Sequence, residues 1–155
     1  LYKVALLPEG GYGKPINLGS AINTEARESF PFISKTNELY FASDGHPGLG
    51  GLDVFVTPLS NEGAPGDIEN VGAPVNSAFD DFAMIMDVSS KIGYFSSNRT
   101  EDTIGDDDIF QCFELRSLPS DCQQVLGGIV LDAVTQNGDA LEYASTLERT
   151  CEKLR

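Results

Sequence analysis

Leu39-Tyr40-Phe41-Ala42-Ser43-Asp44, followed by Gly50-Gly51-Leu52-Asp53-Val54-Phe55, decides how this chain is read. Each is a short run of aromatic and β-branched residues bounded by Gly, Ser or Asp, the pattern of a strand closed by a turn. Both return later, as Gly93-Tyr94-Phe95-Ser96-Ser97-Asn98 and Gly105-Asp106-Asp107-Asp108-Ile109-Phe110. Working outward, the blocks Asn17-Leu18-Gly19, Ile22-Asn23-Thr24 and Glu28-Ser29-Phe30 reappear as Asn70-Val71-Gly72, Val75-Asn76-Ser77 and Asp80-Asp81-Phe82. Asn17 and Asn70 stand 53 residues apart, and Asp53 and Asp108 stand 55 apart, so the drift fits small loop insertions. Several blocks recurring in one order make an internal repeat, which governs the rest of the reading.

Each copy holds three short β-type runs. In the first they are Phe30–Ile33, Leu39–Ala42 and Asp53–Thr57; in the second, Phe82–Asp87, Ile92–Ser96 and Asp108–Phe113. A weaker run precedes each triplet, at Pro15–Leu18 and Ile68–Val71. Three or four short antiparallel strands per repeat is the signature of a β-propeller blade. Leu1-Tyr2-Lys3-Val4 matches Val54-Phe55-Val56-Thr57, so residue 1 is expected inside the closing strand of an earlier repeat. The expected fold is all-β: a partial β-propeller over 1–113, with repeats at 14–57 and 67–113 and the end of a third. A linker over 114–124 and the start of a β-sandwich over 125–155 follow. In that last part Val125–Asp132 reads as a strand and Asn137-Gly138 as a turn. Leu141, Ala144, Leu147 and Cys151 fit a helical stripe, while Tyr143–Leu147 also reads as a strand.

The charge narrows the function classes. Ten Lys and Arg against 24 Asp and Glu leave a formal charge of −14. Such a surface repels phosphate backbones and anionic lipid heads, so neither nucleic acid nor a membrane surface is an expected partner. No run of 18 apolar residues exists to insert into a bilayer. Three cysteines, Cys112, Cys122 and Cys151, lack zinc-site spacing. One internal bridge, Cys112–Cys122 or Cys122–Cys151, is open to them in an oxidising compartment; three thiols is the other reading.

Asn17 and Asn70, and Asp53 and Asp108, hold fixed places in the repeat. Asp53 and Asp108 read either as paired catalytic carboxylates or as acceptors fixing the preceding Gly-rich turn. Recurrence at one repeat position favours the turn. The acidic loop offers Asp102, Asp106, Asp107 and Asp108, oxygens a hard cation such as Ca²⁺ accepts, but with no EF-hand spacing. The competing reading is a solvated acidic loop, and no cofactor is expected. A Ser–His–Asp triad would have to use His46, the one histidine, in a Gly/Pro loop that reads as exposed. The loops carrying His46 and Leu49, Asp80 and Asp81, and Asp102, Asp106 and Asp107 are the expected partner-binding rim.

The blocks from Asn17-Leu18-Gly19 to Gly50-Gly51-Leu52-Asp53-Val54-Phe55 resemble PD40 (WD40-like) propeller repeats of periplasmic OmpA-family proteins in Bacteroidetes. Leu126–Thr135 resembles the start of the carboxypeptidase regulatory-like domain that follows the propeller there. The resemblance implies a lipoprotein of the periplasm, associated with the outer membrane. It implies a non-enzymatic scaffold that binds envelope or secretion-system proteins, as in the type IX secretion accessory subgroup. Peptidoglycan would be bound through a further domain not among these residues. Rival expectations are a propeller that itself binds cell-wall glycan, and a glycan or peptide hydrolase.

Overall fold

The computed structural model of the chain describes residues 1–100, 106–114, 129–131, 138–140 and 149–153. Every described element of regular structure is a β-strand. The chain divides into two compact units, Leu1–Leu115 with Arg149–Arg155, and Arg116–Glu148.

The first unit is built on the repeat. A stub pair, β1 (Tyr2–Lys3) and β2 (Ile16–Asn17), comes first. A four-stranded antiparallel sheet follows in the order β3 (Glu28–Ile33), β4 (Glu38–Ser43), β5 (Asp53–Pro58), β6 (Glu69–Asn70). A second sheet holds β7 (Asp81–Asp87), β8 (Ile92–Ser97) and β9 (Asp108–Glu114), with β12 (Arg149–Lys153) on the far side of β9. Apart from β12, these bounds lie within two residues of the runs read from sequence, because Phe, Tyr, Val and Ile fit a pleated, half-buried surface.

Register repeats along with sequence. β1 meets β2 through Tyr2↔Asn17 and Lys3↔Ile16, as β5 meets β6 through Phe55↔Asn70 and Val56↔Glu69. The bridges Leu6↔Tyr12 and Leu59↔Pro65 close the next loop in each case. Residues 2–17 thus have the backbone of the last two strands of a repeat. Each first strand carries the same bulge, where Phe30 (φ 51°) and Ala83 (φ 53°) take left-handed backbone. That conformation is costly for a bulky residue, and at Phe30 the ring packs on Phe82 with centroids 5.0 Å apart.

Alternation along β4 and β5 sorts the core into two layers. Leu39, Phe41 and Phe55 join Ile22 in one buried cluster, against which Leu1, Leu18, Leu59 and Ile68 pack. Tyr40, Ala42, Val54 and Val56 point the other way, towards the second sheet, and are also buried. Met84, Met86, Phe95, Phe110 and Cys112 are buried in that second sheet. Gly93 lies among them because a Cβ there would come 2.8 Å from Met84 Cε and 2.9 Å from Cys112 Sγ.

In the second unit β10 (Ile129–Leu131) pairs antiparallel with β11 (Gly138–Ala140), Leu131 opposite Gly138. Of the strand expected over Val125–Asp132, Ile129–Leu131 are described and form a strand; the remainder lies outside the described residues. Leu141, Ala144 and Leu147 lie outside the described residues, as does most of the 114–124 linker. Cys151 is in a strand rather than a helix, with its Cα opposite that of Cys112. Residues 149–153 therefore belong to the sheet of the second repeat, and the span expected to start a sandwich, 125–155, is divided between the two units. Strand β9 would otherwise leave an unpaired edge, and β12 covers it.

Candidate functional site

The conspicuous polar residues of the repeat meet where one repeat joins the next. Asn76 is buried, and its side chain acts as a short piece of strand. Its Oδ1 accepts from Val54 N–H at 2.8 Å, and its Nδ2 donates to Val54 C=O at 2.8 Å and to Asn70 Oδ1 at 2.8 Å. Asn70 Oδ1 also accepts from Gly72 N–H at 2.7 Å. One repeat earlier, Asn23 donates to Leu1 C=O and to Asn17 Oδ1, each at 2.8 Å, and accepts from the Leu1 amino group. Asn17 Oδ1 accepts from Gly19 N–H at 2.8 Å. Gly19 (φ 94°) and Gly72 (φ 73°) take the left-handed backbone that this asparagine turn requires. Asn17 and Asn70 are therefore turn-holders, and Asn23 and Asn76 grip a strand of the preceding repeat.

A carboxylate sits beside each grip. Glu28 accepts from Thr24 N–H, Thr24 Oγ1 and Ser43 Oγ. Asp81 accepts from Ser77 N–H at 2.6 Å and Ser77 Oγ at 2.7 Å. Asp81 is fully buried and pairs with Arg99 at 2.5 Å. Arg99 also donates to the carbonyls of Pro74 and Val75, and its guanidinium lies 5.1 Å and 4.8 Å from the ring centres of Phe95 and Phe110. In the first repeat the matching place is filled by His46. Its ring lies against Phe41 and Phe55, with Nε2 3.0 Å from Ile22 C=O.

These positions differ from the rim expected of them. His46 is half-buried between two phenylalanines and a carbonyl, not an exposed loop residue. Asp81 lies in the interior, out of reach of a docking partner. Asp80 is half-buried, accepting from Leu52 N–H at 2.8 Å and from Asn98 Nδ2 at 3.2 Å, so it tethers the loop before β5 to the start of β7. Leu49 remains exposed, as do Asp106 and Asp107. Asp102 and Cys122 lie outside the described residues.

Asp53 Oδ2 accepts from Leu49 N–H at 2.9 Å and Gly50 N–H at 3.0 Å, fixing the Gly-rich turn. Its other oxygen is buried with no hydrogen-bond partner. Loss of hydration raises its carboxyl above the ordinary value, against the lowering by those two amides. Asp44, on the surface, behaves oppositely: the Arg27 amide, and then its guanidinium, hold the carboxyl below the ordinary range. Among the described residues no three His, Cys, Asp or Glu side chains are grouped as a metal site. Among the same residues, no helix is long and apolar enough to cross a membrane. Sequence reasoning missed Arg99 and Asn76 as site-builders. The recurrence of Asn23 as Asn76, beside Asn17 and Asn70, was the available signal. Compared with known proteins, the chain matches no family model, no curated protein and no solved structure.

Proposed function

We propose that the chain is a non-enzymatic scaffold made of β-propeller blades. In this reading residues 28–70 and 81–114 are two blades, and residues 2–17 are the end of a third. The parent is a periplasmic, outer-membrane-associated protein of the PD40, OmpA-family type. It joins an envelope or type IX secretion complex to peptidoglycan through a domain outside residues 1–155. One observation carries the non-enzymatic part. The polar groups that a hydrolase would need are spent on architecture: Asp53 on its turn, Asp81 on Arg99, His46 on Ile22 and two rings. Charged and polar groups so engaged are poorly placed to take up substrate or move protons.

Two measurements test this. Assays with muropeptides and glycans are expected to give no turnover; turnover lost in Asp53→Asn would overturn the scaffold reading. Sedimentation with purified peptidoglycan is expected to leave residues 1–155 in the supernatant. Co-sedimentation would favour a propeller that binds glycan itself.

A further inference from the structure

Register sets two cysteines directly across from each other. In the second sheet Cys112, in β9, has Cys151 of β12 as its Cα partner. The Glu114 amide donates to Lys91 C=O at 2.9 Å, which makes Glu114 and Lys91 a hydrogen-bonded pair of the β9–β8 ladder. Hydrogen-bonded and non-hydrogen-bonded pairs alternate along an antiparallel ladder. Cys112 and Gly93, two places on, are therefore hydrogen-bonded as well, and the Cys112 amide and carbonyl both turn towards β8. Towards β12, Cys112 then forms a non-hydrogen-bonded pair with Cys151. In such pairs the Cα atoms stand about 4.5 Å apart and the Cβ atoms are at their closest. That spacing lies in the range a disulfide takes, with Cα atoms about 4.4–6.8 Å apart.

The first repeat shows what these places hold elsewhere in the chain. The pairing Leu39↔Thr57 corresponds to Gly93↔Cys112, so Thr57 is the counterpart of Cys112. Extending Phe55↔Asn70 and Val56↔Glu69 by one place sets Ile68 opposite Thr57. Val71 N–H donates to Val54 C=O at 3.0 Å, so the same alternation makes Thr57 and Ile68 a non-hydrogen-bonded pair. A threonine and an isoleucine in one repeat are thus replaced by two cysteines in the other.

We propose that Cys112 and Cys151 form a disulfide that locks β12 onto the edge of β9. It is neither of the bridges left open by the sequence, both of which use Cys122. The oxidant is a disulfide, R–S–S–R, carried by a protein or a small molecule. One cysteine thiolate attacks it, forming a mixed disulfide and releasing RS⁻; the second thiolate then displaces the remaining RS⁻. The two cysteines lose two protons and two electrons, and the oxidant departs as two RSH. Residues 113–150 become a closed covalent loop that contains the second unit. Cys112 is 1% exposed, which screens its side of the bond from reductants. The bond follows from register and needs neither the blade nor the scaffold reading.

The full chain, refolded with reduced and oxidised glutathione and then alkylated, tests this by peptide mapping without reductant. One linked pair of peptides is expected, holding Cys112 and Cys151, with Cys122 alkylated. Reduction should lower the thermal midpoint by about 5–15 °C, the scale for a closed loop of this length in a chain of this size. Cys122→Ser should keep both the bridge and the shift. Cys112→Thr, which copies the first repeat, should lose both while keeping the circular dichroism of the reduced chain. Three alkylated cysteines, a bridge through Cys122, or a Cys112–Cys151 bond whose reduction leaves the midpoint unmoved would each overturn the proposal. None of these measurements involves turnover or peptidoglycan, so failure here and failure of the scaffold reading are separate results.

Discussion

The two repeats solve one packing problem with different chemistry. Each has two stacked phenylalanines on neighbouring strands, Phe41 on Phe55 and Phe95 on Phe110, with centroids 5.8 Å and 5.5 Å apart. Each stack is capped by a nitrogen-bearing side chain that also bonds a carbonyl of the gripping loop, at Ile22 or Val75. In the first repeat the cap is the imidazole of His46. In the second it is the guanidinium of Arg99, from the corresponding loop after β8. A permanent cation in that place requires an anion, and Asp81 supplies it. The first repeat has Glu28 there instead, satisfied by Thr24 and Ser43. Backbone geometry fixes where the cap goes, and the charge of the cap then dictates how its neighbours are paired.

Arg99→Ala should break the comparison most severely. It strands a fully buried carboxylate, a loss on the order of 3–5 kcal/mol. Chemical denaturation should show it, and Arg99→Ala/Asp81→Ala should recover part of the loss. His46→Ala leaves no buried charge, so a smaller cost of roughly 1–3 kcal/mol is expected. Equal effects from the two caps would sink the idea that charge separates the repeats.

The grips come next. Asn76→Ala removes both hydrogen bonds to Val54 and leaves the Val54 amide unpaired, while Val54 C=O keeps the Val71 N–H, a cost of about 1–3 kcal/mol. Asn23→Ala should cost less, since the chain it holds is a two-residue stub with Tyr2 exposed. Hydrogen exchange at the Val54 amide reads the first change without global unfolding.

A third contrast concerns Asp53, whose buried carboxyl is raised. As pH climbs past 3.8 the unfolded chain ionises first while the folded carboxyl keeps its proton. The folded state then binds more protons, so this group's contribution falls as pH rises from 3.8 to the raised folded value. Asp53→Asn should remove that slope; an unchanged difference between the two proteins across the window would refute it. The smallest effect belongs to the exposed Arg27–Asp44 pair, at 2.7 Å. Its loss should be barely detectable and should vanish in high salt.

The strands were legible in the sequence because their signal is local. Runs such as Leu39–Ala42 and Ile92–Ser96 declare themselves by residue type, and the turn held by Asp53 is only four residues long. What local residue type does not declare is where a side chain crosses between segments. Asp80 and Asp81 are adjacent and alike in sequence, yet one is half-buried and holds Leu52 while the other is sealed in with Arg99. Alternation along a strand separates such neighbours only once the strand's start is known. Arg99 carries no signal of its role in the sequence because the carbonyls and the carboxylate it bonds in the gripping loop and β7 lie 18 to 25 residues away. The pairing of β12 with β9 was not legible at all, since it spans the whole second unit and leaves no periodic trace.

The spacing between the repeats has a practical side. Matching residues stay 53 apart from Asn17 through Ile33, become 54 apart from Asn37 through Ser43, and reach 55 at Asp53. Each added residue therefore entered a loop: the β7–β8 turn, and the segment between β8 and β9. The sheets kept register both times. These two loops are addresses at which the molecule has already absorbed extra chain. A fluorophore attachment site or affinity tag placed in the β7–β8 turn extends a tolerance the fold has shown, without touching Asn98 and Arg99, which open the other segment and bond Asp80 and the gripping loop.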